Sequence, residues 1–482
     1  MELKNLEPRL LWSYFHQITQ IPRPSKKEER ILSYLKEFAS SHQLPVEQDA
    51  AGNLVIRKPS TAGHDARPTV ILQSHVDMVC EKNADTLFNF DTDPIPVYID
   101  GDWVKARGTT LGADNGIGMA MMLSVLASND LQHPAIECLF TVDEETGLTG
   151  AFALKPDLLK GTVLINLDSE DDGEVFIGCA GGIGTKGYYD YQPTARPDGL
   201  FGFKVTVSGL KGGHSGGDIH LGLANALKLL AVYLGRIKNK MPVRLAQLQG
   251  GNLHNAIPRE ATALVGVPYG EKETIRVLLN IYLAELETRY QELEPGLKIS
   301  LESVELPSML IDKKTSDNLI DALTDCPHGV IAMSSDMPGL VETSTNLASV
   351  KQKESNRIEI VTSQRSMGEA TKAEIASIVK QALVNNGALV EQGDGYPGWK
   401  PNLSSPVLEV SRTAYTRLFG EAPAIKAIHA GLECGLFLEK YPSLDMVSIG
   451  PQMHGVHSPD ERLSIRSTQK SWAWLVEILK NI

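Results

Sequence analysis

The chain has 482 residues, 59 acidic against 46 basic side chains and a formal net charge of −13 at pH 7. Two domains are expected, because single hydrophobic cores stop growing at roughly 250–300 residues. The 42% hydrophobic fraction excludes a disordered chain, and the acidic balance argues against binding nucleic acid or an anionic membrane, both of which attract basic faces.

The opening stretch MELKNLEPRL is charged throughout and has neither an apolar signal core nor a cleavage pattern, so a cytoplasmic protein is expected. Apolar runs such as MAMMLSVLA fall far short of the roughly 20 residues a membrane span needs. The five cysteines, Cys80, Cys138, Cys179, Cys326 and Cys434, show no Cys-x-x-Cys spacing. An odd set of this kind fits reduced, buried thiols better than a disulfide framework or a thiolate zinc site.

In chain order, LWSYFHQIT and KKEERILSYLKEFASSH read as amphipathic helices, and NLVIRK and PTVILQSHVD as short apolar strands. NGIGMAMMLSVLAS reads as a buried helix, followed by strands IECLFTVDE and TVLINLD. Strands alternating with helices predict an α/β domain with a mainly parallel sheet. From about residue 185 the pattern changes. FGFKVTVSGL and ATALVGVPYG alternate with period two, and long charged helices separate such strands, which predicts an antiparallel sheet with helices on one face. After QGDGYPGW the first pattern returns with helix SPVLEVSRTAYTRLF, strand LDMVSIG and a closing helix. The expected organisation is one domain over 1–184 and 391–482, interrupted by an inserted α+β domain over 185–390.

Sites in such sheets form at the carboxyl ends of strands. His75 and Asp77 end one strand and, two apart, share a face; a carboxylate so placed can orient a histidine that binds a metal. Asp114 stands in the glycine-rich turn TTLGADNGIG, Asp168 ends LINLD, and His457 lies in a loop after the strand LDMVSIG. TVDEETG places Glu144 and Glu145 side by side. Neighbouring strand residues point to opposite faces, so both carboxylates can serve one site only if the chain turns there, which the following Thr-Gly permits. Two histidines and several carboxylates at one sheet edge suit zinc, manganese or cobalt better than calcium.

Long strings in this chain, among them VKARGTTLGADNGIGMA, DSEDDGEVFIGCAGGI, GLKGGHSGGDIH, NAIPREA, IHAGLECGLF and SIGP…HSPDE, closely resemble the aminoacyl-histidine dipeptidases of the di-zinc exopeptidase superfamily, essentially end to end. The resemblance implies hydrolysis of dipeptides, preferentially Xaa-His and including β-alanyl-histidine (carnosine). It implies two divalent metal ions per chain, Zn2+ before Co2+ or Mn2+. One would take His75, Asp114 and Asp168, the other Asp114, Glu145 and His457. Glu144 would be the general base and Asp77 the group that orients His75. The Asp114–Asn115 peptide would be cis. The inserted domain would be a lid of two fused sandwich units, over about 201–299 and 300–388, with LKISLESVEL opening the second. By the resemblance His214 would bond the reacting carbonyl; relatives borrow this histidine from a partner subunit, and the doubled insertion leads us to expect that here it serves its own chain. Asn255 and Arg365 would hold the substrate's terminal carboxylate, with backbone contact at Gly431. A homodimer is possible, and no nucleic-acid or membrane partner is expected. An aminoacylase on acylated amino acids and a catalytically silent binding protein on the same fold are the alternatives. The Ser beside His214 in GGHSGG makes no triad by adjacency, and GCAGGIG lacks the Lys-Ser/Thr of a phosphate loop.

Overall fold

The computed structural model describes residues 3–482. They form two compact units: the first runs to Gly178 and includes Trp399–Ala427 and Leu432–Ile482, and the second holds Cys179–Gly398 with Ile428–Gly431. The transitions fall at 178/179 and 398/399 rather than at 184/185 and 390/391. The reason is the strand Gly181–Asp190, which pairs along its whole length with Arg357–Ser366 and so belongs to the second unit from its first residue.

The first unit is built on an eight-stranded sheet in the order Val46–Gln48, Leu54–Lys58, Ile136–Thr141, Val70–His75, Val163–Asn166, Asp445–Ser448, Glu174–Cys179, Ala424–Ile428. The four strands from Ile136–Thr141 to Asp445–Ser448 run parallel, and antiparallel neighbours flank them. Parallel neighbours require long crossovers, and the helix Ala113–Ala127 lies in one of them. It is buried almost all round and packs on Val70–His75 and on the helix Arg9–Thr19. Val70–His75 and Ile136–Thr141 are buried at every position, as continuous apolar strands covered on both faces should be. A small antiparallel sheet, Met453–His454, Arg462–Ser464, Trp103–Ala106 and Val97–Asp100, completes the unit.

The second unit has a nine-stranded antiparallel sheet in two halves. One half orders Lys298–Ser303, Leu200–Ser208, Ala261–Pro268 and Arg244–Gly250; the other orders Val341–Lys353, Arg357–Ser366, Gly181–Asp190 and Leu389–Gln392, with Gly329–Met333 alongside Val341–Lys353. The halves join through one residue pair, Gly250 and Val350. The expected strand in LKISLESVEL exists but edges the first half, paired with Leu200–Ser208, and Gly181–Asp190 fills its place in the second. Phe203, Val205 and Val207 alternate into a core shared with the helices Ala226–Lys238, Lys272–Tyr290, Lys313–Asp325 and Glu369–Asn385. No helix among the described residues is long and apolar enough to cross a membrane.

Candidate metal centre

The parallel strands deliver their carboxyl ends to one place. His75 is the last residue of Val70–His75, and Asp168 follows Val163–Asn166 by two residues. After Ile136–Thr141 the chain leaves the strand at Asp143, whose φ is +51°. Asp143 accepts hydrogen bonds from the hydroxyls of Thr146 and Thr149, each at 2.5 Å, which closes the turn. The backbone N–H groups of Glu144 and Glu145 both donate to Asp77, at 3.1 Å to Oδ1 and 3.2 Å to Oδ2. Two successive N–H groups aimed at one carboxylate mark a turn, not a strand, so strand alternation no longer separates the two glutamates.

Asp114 occupies the centre. Its Oδ1 lies 3.0 Å from His75 Nε2 and its Oδ2 3.0 Å from His457 Nε2. Asp168 Oδ1 stands 3.4 Å from His75 Nε2, and Glu145 Oε2 3.1 Å from His457 Nε2. Two groups of donors therefore share one carboxylate: His75, Asp114 and Asp168, and Asp114, Glu145 and His457. The Asp114–Asn115 peptide is cis, and the Asn115 amide donates to Leu167 O at 2.9 Å and to Asp168 Oδ1. Behind His75, Asp77 Oδ1 is 3.3 Å from Nδ1, while Asp77 Oδ2 accepts the Ser25 hydroxyl at 2.7 Å. His457 occupies the hairpin loop between Met453–His454 and Arg462–Ser464, with φ +64°.

The electrostatics call for positive charge. Burial, then the neighbouring carboxylates, push Asp168 up to about 6 and Glu144 well above the usual range. Burial opposes a charge on His75, yet the carboxylates of Asp168, Asp114 and Asp77 raise it well above its ordinary value. Glu145 Oε1 is buried and has no hydrogen-bond partner. An acceptor-rich, partly orphaned set of imidazoles and carboxylates without thiolate fits divalent cations with borderline preferences.

The remaining expected groups gather in the second unit. His214 pairs with Ala256, beside Asn255, whose carbonyl accepts the Ser215 N–H at 2.8 Å. His214 Nδ1 accepts the N–H groups of Gly216 and Gly217 at 3.3 and 3.0 Å. Burial and then Arg365 lower its pKa. The neutral ring therefore carries its proton on Nε2 and presents a donor there. Arg365, 7% exposed, donates to the Tyr396 hydroxyl at 2.7 Å and keeps Nε unpartnered. A side chain at Gly431 would meet the Tyr396 ring at 2.8 Å.

Five supporting residues escape sequence reasoning. Arg23 is 2% exposed and donates to Val76 O at 2.9 Å, Asp77 O at 2.5 Å and Gly112 O at 2.5 Å. Glu433 accepts from Gln73 at 2.6 Å and Thr141 at 2.9 Å, and burial pushes it up to about 8. Glu461 accepts four backbone N–H groups around Asp114. Tyr396 steadies Arg365. His429, which burial lowers to about 3, bonds Ser344 at 2.7 Å, the strand neighbour of Arg365. The strings IPRPS, HSPDE, YPGW and HAGLECG hold all five, without pointing to a role.

A profile of peptidase family M20/M25/M40 matches residues 71–481. The chain is 46% identical over 481 residues to the cytosol non-specific dipeptidase of Escherichia coli (strain K12), covering 100% of this chain and 99% of that protein. The crystal structure of aminoacylhistidine dipeptidase from Vibrio alginolyticus matches with a TM-score of 0.93 and 42% identity, over 100% of this chain and 98% of the other. Aminopeptidase PepT from Bacillus cereus, 17% identical over 98% of each chain with a TM-score of 0.58, shares the fold.

Proposed function

Because the chain belongs to peptidase family M20/M25/M40, we propose that it is a cytoplasmic, two-metal dipeptidase acting preferentially on Xaa-His dipeptides, β-alanyl-histidine included. The observation that carries this reading is the Asp114 carboxylate, one oxygen facing His75 and the other His457 at 3.0 Å each. A carboxylate set between two imidazoles in this way can bridge two cations. His75, Asp114 and Asp168 would hold one cation and Asp114, Glu145 and His457 the other, with zinc the metal best suited to this donor set. Bound there, the cations supply Lewis-acid polarisation of the peptide carbonyl and easier loss of a proton from water.

The chain's own groups do the rest. Glu144, outside both ligand sets, takes the proton of the attacking water and passes it to the leaving nitrogen as the C–N bond breaks. Burial and the crowding of carboxylates raise its proton affinity, as this double duty requires. Asp77 fixes the His75 ring. His214 offers its Nε2 proton to the carbonyl oxygen, where negative charge develops. Arg365, preset by Tyr396, and Asn255 recognise the terminal carboxylate, with the backbone at Gly431 alongside. The name of the 42% identical aminoacylhistidine dipeptidase supports the Xaa-His preference, and the name of the 46% identical non-specific dipeptidase supports a wider tolerance of other dipeptides beside it.

The test uses protein stripped of metal and reloaded separately with zinc, cobalt or manganese. It is then assayed against a panel of dipeptides and the matching N-acetyl amino acids. Dipeptides cleaved fastest, with Xaa-His leading, are expected. Faster turnover of the acetylated compounds would make the protein an aminoacylase, and no turnover of either would leave a binding protein.

A further inference from the structure

We propose that Glu461 is a positioning residue that holds the loop carrying Asp114 against the loop carrying His457, and so sets the affinity for the cation pair; this rests on reading Asp114 and His457 as cation ligands. Glu461 is 2% exposed. Its Oε2 accepts the N–H of Leu111 at 2.7 Å and of Gly112 at 3.0 Å. Its Oε1 accepts the N–H of Ala113 at 2.8 Å and of Asp114 at 3.3 Å. The N–H groups from Gly112 to Asp114 stand at the start of the helix Ala113–Ala127, where such groups lack intrahelical partners. A cap normally comes from the residue just before the helix; this one comes from 347 positions beyond Asp114.

The origin of that cap is the second part of the argument. Glu461 closes the hairpin loop in which His457 sits, its N–H bonded to Ser458 O at 3.1 Å and the Ser458 N–H to Gly455 O at 3.1 Å. The next strand, Arg462–Ser464, pairs with Trp103–Ala106, which leads into Leu111. From the other side Arg23 holds Gly112 O at 2.5 Å. Gly112 has φ +68°, and a Cβ there would stand 2.7 Å from the Arg23 guanidinium, so the loop has one available path. Glu461 thus joins the loops of Asp114 and His457 with a single carboxylate, while standing outside both proposed ligand sets. Loss of such outer support weakens metal binding by about 10–100-fold in comparable sites.

The test titrates zinc into stripped wild type, Glu461→Gln and Glu461→Ala, and measures amide hydrogen exchange at Leu111 to Asp114. Glutamine keeps the shape but offers one acceptor oxygen in place of two, so it carries the test if the alanine variant fails to fold. Zinc binding at least about tenfold weaker and faster exchange at those amides are expected, with unchanged far-ultraviolet circular dichroism. A simple stability cap would lower the unfolding temperature while zinc dissociation constants, measured well below that temperature, stay at wild type; that result overturns the proposal. If wild type itself takes up no pair of cations, the functional reading fails separately. Exchange in Glu461→Gln then still decides whether the carboxylate holds the loop, and wild-type exchange rates would refute it.

Discussion

Asp77 serves four partners with two oxygens. Oδ1 faces His75 Nδ1 at 3.3 Å and accepts the Glu144 N–H at 3.1 Å; Oδ2 accepts the Glu145 N–H at 3.2 Å and the Ser25 hydroxyl at 2.7 Å. Burial would push this carboxyl up, but bonding to His75, Ser25 and the Glu144 backbone holds it at about 2. It therefore stays charged across the neutral range, and one side chain both faces the His75 ring and fixes the turn that presents Glu144. The roles of the two adjacent glutamates then separate. Glu145 joins His457 at 3.1 Å, while Glu144 has no place in either ligand set. Glu144→Gln keeps the shape and loses the ability to take a proton. It should bind cations as wild type does, by mass-spectrometric metal content, and lose turnover by at least about a hundredfold. Wild-type turnover with full metal content would remove Glu144 from the role of base. His75, Asp114, Glu144, Glu145, Asp168 and His457 were legible in sequence because each stands just past an apolar strand or in a marked loop. Glu461, Arg23 and Glu433 were not. Their partners are backbone groups or neutral side chains tens to hundreds of positions away, and such contacts leave no local pattern.

At the scale of elements, the seam of the second unit is the informative feature. The two half-sheets share one residue pair, so other contacts must tie them. Asn225 is one such tie. It caps the helix Ala226–Lys238, accepting the N–H of Leu227 at 2.9 Å and of Lys228 at 3.2 Å, and its amide donates to Leu347 O at 2.8 Å on a strand of the other half. At 2% exposure none of these bonds is replaced by water. Asn225→Ala should lower stability by about 2 kcal/mol, at the upper end for a lost cap. Urea unfolding should show this as a lower midpoint, with zinc affinity unchanged; an unshifted midpoint would mean that the cap and the tie are dispensable. The alternating strands of this unit were readable from their period of two, and most were found. Their partners were not, because pairing depends on which edges meet in space. That is why Lys298–Ser303, next in sequence to the second half, edges the first.

At the scale of the whole molecule, the residues proposed as cation ligands and base belong to the first unit, and His214, Asn255 and Arg365 to the second. Two half-sheets within one chain give the second unit roughly twice the size of a small sandwich domain. We infer that His214 serves the catalytic groups of its own chain, and that any dimer contributes stability alone. Mixing His214→Ala with Glu144→Gln under conditions of subunit exchange should then recover no activity. Substantial recovery would mean that His214 acts on a second copy. The account as a whole stands on two cations held through one shared carboxylate. The most direct measurement is turnover of β-alanyl-histidine by stripped protein during stepwise addition of zinc, with bound metal counted at each step. Two equivalents bound per chain are predicted, with activity returning as the second is taken up. Full activity at one bound equivalent, or in the stripped protein, would contradict the account.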